Sequence, residues 1–384
     1  MPPKDRYIGR EILNGQFKII KKIGTGGMGA VYKALQPEMN RMVAVKILHA
    51  KLKDRKDLVS RFRREARAMS HLSHPNTAKV MMYGELDDGG LYIVMEYLEG
   101  KNLNQIVKRQ GPLSLERAIP MLIQVCGALH EAHELGIIHR DLKPENIFIT
   151  NTGGMKDFAK VLDFGLAKVT ERELRPGSIM LTQEGMVFGT PEFMSPEQAQ
   201  GMTLDRRSDL YSLAIILYEA LTGKLPFDAR TSMEYIQLHV TKPPIHIDKR
   251  IEGKTFPPGL GDVIARALEK EPDDRYDDAT QFGEALKPYA TAEALEAAIA
   301  AGTSSPNAAN ASDPGERAKP EVQPTPESAK LTAPGPAPSP SPAAALAETE
   351  PEGDGLSSRT LIIVSAVSVI AGIVLAVVAL KLLG

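Results

Sequence analysis

The sequence predicts an α+β fold in two lobes, strand-rich first and helical second. Three observations carry this. From Phe17 to Glu96 the chain alternates β-branched and polar residues, the pattern of half-buried strands. After Gly100 the apolar spacing becomes helical. Strands segregated from helices along the chain imply two packed layers with a cleft where they meet.

The strands are expected at Phe17–Ile23, Val31–Leu35, Met42–Leu48, Ala78–Glu85 and Leu91–Glu96. A charged amphipathic helix, about Leu58–His71, interrupts them. The basic run Lys51–Arg67 around its start is broken by Asp54, Asp57 and Glu65, so it reads as a solvated face. With a net charge of −2 there is no electrostatic footprint for nucleic acid, and none is expected as a partner. Helices follow at Leu115–Leu135, Asp209–Leu221, Met233–Val240 and Asp262–Lys270. Cys126 is the only cysteine and lies in the apolar run Ile119–Leu129, which makes it a buried structural thiol.

Tyr289 is the last aromatic residue, and the domain is therefore bounded at 17–288. Residues 289–301 are Ala-rich and expected to add a short helix. The stretch 302–359, with Ala333–Pro342 at its most proline-dense, cannot bury enough apolar surface to fold and reads as a disordered linker. Thr360–Leu380 is 21 residues without a charge. At 1.5 Å per residue it reaches about 32 Å, against a hydrocarbon core of about 30 Å, so a transmembrane helix is expected. Arg359 and Lys381 flank it evenly and do not set its orientation. The N-terminal Met1–Arg6 lacks the apolar core of a signal peptide, which places the domain in the cytoplasm and residues 381–384 as a short tail beyond the membrane.

The chemistry-bearing motifs come in a fixed order. Gly24-Thr25-Gly26-Gly27-Met28-Gly29-Ala30-Val31 lies between the first two strands. A dinucleotide fingerprint would run from strand into helix, whereas Val31–Leu35 continues as strand. A phosphate-binding loop of the other common type needs Lys after its last glycine, and Ala30 stands there. What fits is a glycine-rich hairpin whose backbone N–H groups approach phosphate oxygens closely. Lys46, in Val43-Ala-Val-Lys46, supplies a cation to the phosphates, and Glu65 on the following helix is placed to hold it. His139-Arg-Asp141-Leu-Lys143-Pro-Glu-Asn146 offers an aspartate to accept a hydroxyl proton. It also offers a lysine to neutralise developing charge and an asparagine to ligate magnesium. Asp163-Phe164-Gly165 adds a second metal ligand. Asp157-Phe158-Ala159 lacks the glycine and precedes the expected strand Lys160–Leu162.

These motifs together resemble the Hanks-type serine/threonine protein kinases. Ile23–Val31 and Gly189-Thr-Pro-Glu-Phe-Met-Ser-Pro-Glu-Gln198 are especially similar to bacterial membrane-bound members. The resemblance implies the bilobal protein-kinase fold and transfer of the ATP γ-phosphate to Ser/Thr hydroxyls of proteins in signal transduction. Magnesium is the implied ion, with Mn²⁺ as a substitute. Residue by residue it implies catalytic roles for Asp141, Lys143 and Asn146 and metal ligation by Asn146 and Asp163. Nucleotide contacts are implied at Ile23, Gly24, Thr25, Gly26, Gly27, Met28, Gly29, Ala30, Val31, Ala44, Lys46 and Glu65, with Met95 as gatekeeper and Glu96 to Leu98 as the adenine-binding hinge. It further implies that Glu197 pairs with Arg275 and that Asp209 anchors the catalytic loop. Lys143 and Gly189-Thr190-Pro191 imply Ser/Thr rather than Tyr as acceptor. The rivals are a pseudokinase scaffold, opposed by the intact Lys46, Glu65, Asp141, Asn146 and Asp163, and a small-molecule phosphotransferase, opposed by the segments around Lys143 and Ser195.

Between Asp163 and Glu197 the hydroxyls of Ser178, Thr182 and Thr190 are candidate regulatory phosphosites. A phosphate there, carrying roughly −1.5 to −2 charge, can pair with the cation of Arg140 and order the segment. Thr182 is the first choice. Tethering to a membrane raises the local concentration of neighbours and favours phosphorylation between copies in a transient homodimer.

Overall fold

The computed structural model describes residues 5–26, 29–48, 56–152, 154–164, 190–291 and 296. The linker, the apolar segment Thr360–Leu380 and the terminal tail lie outside the described residues. Among those described, no helix is long and apolar enough to cross a membrane.

The first lobe is an antiparallel sheet of β1 (Glu11–Ile12), β2 (Phe17–Gly26), β3 (Gly29–Gln36), β4 (Arg41–Leu48), β5 (Val80–Glu85) and β6 (Leu91–Glu96), in the order β1-β2-β3-β4-β6-β5. Helix α1 (Lys56–Met69) interrupts it as expected. Side-chain alternation gives the sheet two apolar faces. Leu48, Leu91 and Ile93 join a core with Phe62, Ala66 and Met69 of α1. Val43, Val45, Ile47, Tyr92 and Val94 face the other way, where Tyr7 and Ile12 cover them. Residues 5–16 thus extend the folded unit beyond the expected start at 17. The pattern there was too short to read, being only β1 and one turn broken by Gly9 and Gly15.

The second lobe begins with β7 (Gly100–Asn102) and α2 (Leu103–Gln110), whose start is fixed by a reciprocal cap between Asn102 and Gln105. Helix α3 (Leu115–Glu134) precedes β8 (Ile147–Thr152) and β9 (Met155–Val161), which pair with β7 in a second, three-stranded sheet. Then follow α4 (Pro196–Ala199), α5 (Arg207–Thr222), α6 (Ser232–Thr241), α7 (Leu260–Ala267) and α8 (Ala279–Leu286), with a 3₁₀ turn at Lys287–Tyr289. Helix α5 is buried all round, with Leu210, Leu213, Ala214, Ile215, Ile216 and Leu217 fully inaccessible, so it forms the axis of the lobe. Cys126 on α3 is free and buried, and burial pushes its thiol up to about 12. The thiol's carbon packs against Gly283 of α8, where a methyl group would crowd it.

Two stretches crossing the lobes fix their register. Ala78 N–H donates to the Val161 carbonyl and Val161 N–H to that of Asn76, at 2.9 and 2.7 Å. The buried Asn76 amide donates to Ala159 O and to Gln124 Oε1 of α3.

Arg275 is fully buried and forks onto Glu197, with N–O distances of 2.9 and 2.8 Å, as the resemblance implied. Ser208 Oγ donates to the same carboxylate at 2.6 Å. Removing only the cation strands a desolvated carboxylate. Arg275→Met is expected to cost about 3–5 kcal/mol in denaturant unfolding. Joint replacement of Arg275 and Glu197 by apolar residues is expected to cost much less.

Candidate active site

The loop from His139 to Asn146 is built onto α5 through Asp209. The Asp209 carboxylate, 1% exposed, accepts the backbone N–H of His139 at 2.8 Å, that of Arg140 at 2.9 Å, and His133 Nε2 at 2.8 Å. Burial would raise its pKa, but His133, His139 and the N–H bonds outweigh that and hold it below the usual carboxylate range. Arg140 takes φ = +66°, which costs an L-residue about 1–2 kcal/mol. It persists because both its backbone groups are committed. Its N–H goes to Asp209, and its carbonyl accepts Gln198 Nε2 at 2.7 Å.

Beyond Arg140 the side chains of the loop converge. Lys143 Nζ lies 2.8 Å from Asp141 Oδ2. Asn146 Nδ2 donates to the Asp141 carbonyl at 2.8 Å, which leaves Oδ1 as the amide's acceptor atom. Leu162 N–H donates to the Asn146 carbonyl at 2.8 Å, bringing the end of β9 alongside the loop. The His139 ring is fully buried; Asp141 N–H donates to Nδ1, so Nε2 carries the proton given to Leu162 O. That ring packs, tilted by 51°, against Phe164 with ring centres 4.9 Å apart.

Asp163, at φ = +53°, places its carboxylate 2.9 Å from Lys46 Nζ of β4. Burial pushes the Asp163 carboxyl up, and the Lys46 charge and hydrogen bond pull it lower still. Lys46 thus pairs with the residue expected to bind metal. Glu65 is half-buried on α1. Gly165, Ser178 and Thr182 lie outside the described residues. Thr190 is half-buried and heads the 3₁₀ turn Pro191–Phe193.

The glycine-rich segment is a hairpin, with Gly24 opposite Val31, Thr25 opposite Ala30 and Gly26 opposite Gly29. Gly27 and Met28 lie outside the described residues. Its glycines are not equivalent. Gly26 has open space around its Cα, whereas a Cβ on Gly29 would collide with the Ile47 carbonyl of β4. Gly29 is thus required by strand packing. The register also sets Val31 opposite Lys46 and Ala44 opposite Met95, lining one surface with the expected nucleotide contacts. Ile23 is exposed there. Glu96 is tied by its side chain: Oε1 accepts Lys160 Nζ and Lys79 N–H, both at 2.7 Å. Asp157-Phe158-Ala159 proves to lie inside β9 rather than before it, with Asp157 gripped by Arg117 at 2.8 Å.

Sequence reasoning missed three supports: His133, Gln198 and Lys160. Only His133 left a trace, as a polar residue ending the apolar pattern of α3. A fourth group, Glu219 of α5, sits near Glu145 and Glu192. Burial first, then those two carboxylates, raise it to about 7, against an opposing pull from Lys108.

An asparagine oxygen and an ionised carboxylate are hard donors suited to Mg²⁺. Among the described residues no cluster of three or more His, Cys, Asp or Glu could hold a metal, so such an ion would draw its remaining ligands from phosphates and water.

Residues 17–285 match the family model for the protein kinase domain. Serine/threonine-protein kinase pkn3 of Myxococcus xanthus is 43% identical over 281 residues, covering 73% of this chain and 51% of that protein. PknA of Mycobacterium tuberculosis is 37% identical over 325 residues, covering 84% and 69%. The matched part spans about half or less of the first curated relatives. The crystal structure of the Mycobacterium tuberculosis PknI kinase domain superposes with a TM-score of 0.56 at 26% identity, covering 73% of this chain and 98% of that one.

Because Glu219 holds its proton more tightly folded than unfolded, it favours folding at low pH. That advantage is lost as pH rises from the ordinary carboxyl value, 4.5, to about 7. Glu219→Gln is expected to flatten this loss, so that the variant's melting temperature exceeds wild type at pH 8 and matches it near pH 4.5.

Proposed function

This chain belongs to the protein kinase family, and from that premise we propose that it is a membrane-anchored serine/threonine kinase acting on proteins. The observation that carries the reading is the meeting of two charge pairs on adjoining segments. Asp141 with Lys143 lies on the loop, and Lys46 with Asp163 closes from the opposite lobe. In the reaction a protein Ser/Thr oxygen bonds to the γ-phosphorus and the bridging P–O bond to ADP breaks. Asp141 orients the hydroxyl and accepts its proton, and Lys143 neutralises charge developing on the phosphoryl oxygens. Lys46 and the hairpin Gly24–Val31 hold the phosphates, beneath Ile23, Ala44 and Met95, with backbone from Glu96 to Leu98 holding adenine. Asn146 Oδ1 and Asp163 would hold Mg²⁺, which when bound offsets phosphate charge.

Anchoring rests on Thr360–Leu380, whose length and lack of charge suit a bilayer. A domain that consumes ATP would then lie on the cytoplasmic side. Regulation rests on Ser178, Thr182 and Thr190, which neighbouring copies would phosphorylate in signalling.

Lys46→Met and Asp141→Asn are expected to fold and to lower transfer of radiolabelled phosphate from ATP by orders of magnitude; near-normal activity in either would overturn the assigned roles. The full chain should stay with membranes through a carbonate wash, and recovery in the supernatant would contradict the anchor. After phosphatase treatment, wild type should regain phosphate at Thr182 with ATP, by mass spectrometry, and Thr182→Ala should activate more slowly. Activation of that variant at the wild-type rate without loop phosphate would refute the switch.

A further inference from the structure

Residues 5–12 run beside β2 along the outer face of the first lobe. Gly9 N–H donates to Ile19 O, Ile19 N–H returns to Arg10 O, both at 2.9 Å, and Glu11 pairs with Lys18. At the head of this strap stands Asp5, its side chain 16% exposed. Its carboxylate meets Lys22 Nζ at 2.6 Å, accepts the Tyr32 hydroxyl at 3.1 Å, and accepts Tyr7 N–H at 3.1 Å.

Lys22 on β2 and Tyr32 on β3 face each other across the hairpin and are the last pair before a break in register. The next pair is Gly24 with Val31, so Ile23 is the bulged residue. One carboxylate therefore straddles the base of the glycine-rich hairpin at the point where its register shifts. The clamp is itself anchored. Tyr7, 6% exposed, packs edge-on against Tyr32 with ring centres 5.6 Å apart, and its hydroxyl donates to Asp88 at 2.9 Å. Arg6 reaches both the Tyr7 oxygen, at 2.6 Å, and Asp88, at 3.4 Å.

We propose that Asp5, with Tyr7 behind it, is a positioning residue for nucleotide binding: by joining Lys22 to Tyr32 it fixes the bulge at Ile23 and hence the pose of the glycine-rich hairpin. This rests on the ATP-binding reading above. The electrostatics agree. Burial would raise the Asp5 carboxyl, yet Lys22, Tyr7 N–H and Tyr32 hold it below the ordinary range, while burial and Asp5 push the Tyr32 hydroxyl upward. A bulge leaves one residue unpaired and adds local twist, so a contact that spans it sets the direction of the strand beyond.

The test compares Asp5→Asn and Asp5→Glu with wild type in the full chain in detergent. The readouts are Mg·ATP affinity by calorimetry, amide hydrogen exchange across residues 22–32, and melting temperature. Asp5→Asn is expected to weaken ATP binding about five-fold, the scale of one lost ion pair. It should also speed exchange at Gly24 and Val31 while the protein remains folded, and Asp5→Glu should restore both. A fall in melting temperature with unchanged affinity and exchange would make the contact purely structural and overturn the proposal. Should wild type fail to bind ATP, the kinase reading falls, and the exchange comparison alone still decides the clamp.

Discussion

The buried carboxylate of Asp209 is the constraint on which the site depends. A charge taken out of water costs several kcal/mol unless its oxygens are fully engaged, and here two backbone N–H groups and one imidazole engage them. The two N–H donors come from the loop and the imidazole from α3, while the acceptor is fixed to α5, the most buried helix of the lobe. The left-handed turn at Arg140 is therefore held by the core, and Asp141 follows in a direction the core dictates. His139 extends the same reference point to Leu162 and Phe164. Both the loop carrying Asp141 and the segment carrying Asp163 are thus aligned to one helix.

The first lobe is registered against that frame by polar contacts rather than by packing alone. Asn76 sits fully buried where α3, β9 and the chain after α1 meet, and its amide nitrogen is committed to Gln124 and Ala159. A hydrogen bond contributes only about 0.5–1.5 kcal/mol net, but an unmade one at such a junction costs the full desolvation. Polar atoms there specify register more strongly than apolar contacts could. Glu96 with Lys160 repeats the device at the strand that leads out of the first lobe.

What the sequence disclosed follows from the range of each interaction. Strand and helix periods are local, and β6 matched its expected bounds while α1 and the long helices fell within about two residues of theirs. The pairs Glu197–Arg275 and Asp209 with its loop were legible only through family resemblance, since 78 and about 70 residues separate the partners. Three kinds of feature stayed hidden. Short elements such as β1 and α8 carry too few residues for a period to show. Supports such as Gln198 act through a backbone carbonyl, which any side-chain pattern ignores. The role of Gly29 depends on a neighbouring strand's approach, so the motif was read as phosphate chemistry throughout when one of its glycines answers to packing.

The pairing of Lys46 with Asp163 shows why two oppositely charged ligand-binding groups can wait side by side in a cleft. Each is assigned a partner of opposite sign, phosphate oxygens for the ammonium and a divalent cation for the carboxylate. Standing alone, either would be a half-desolvated charge. Joined at 2.9 Å, each is the other's counter-ion, and the same contact draws β4 toward the end of β9. On the proposed reading, nucleotide and metal arriving together would exchange one ion pair for two. Either ligand alone would have to break the pair without replacing both halves. On that reading, the arrangement of charges already present in the protein would favour joint binding of metal and nucleotide.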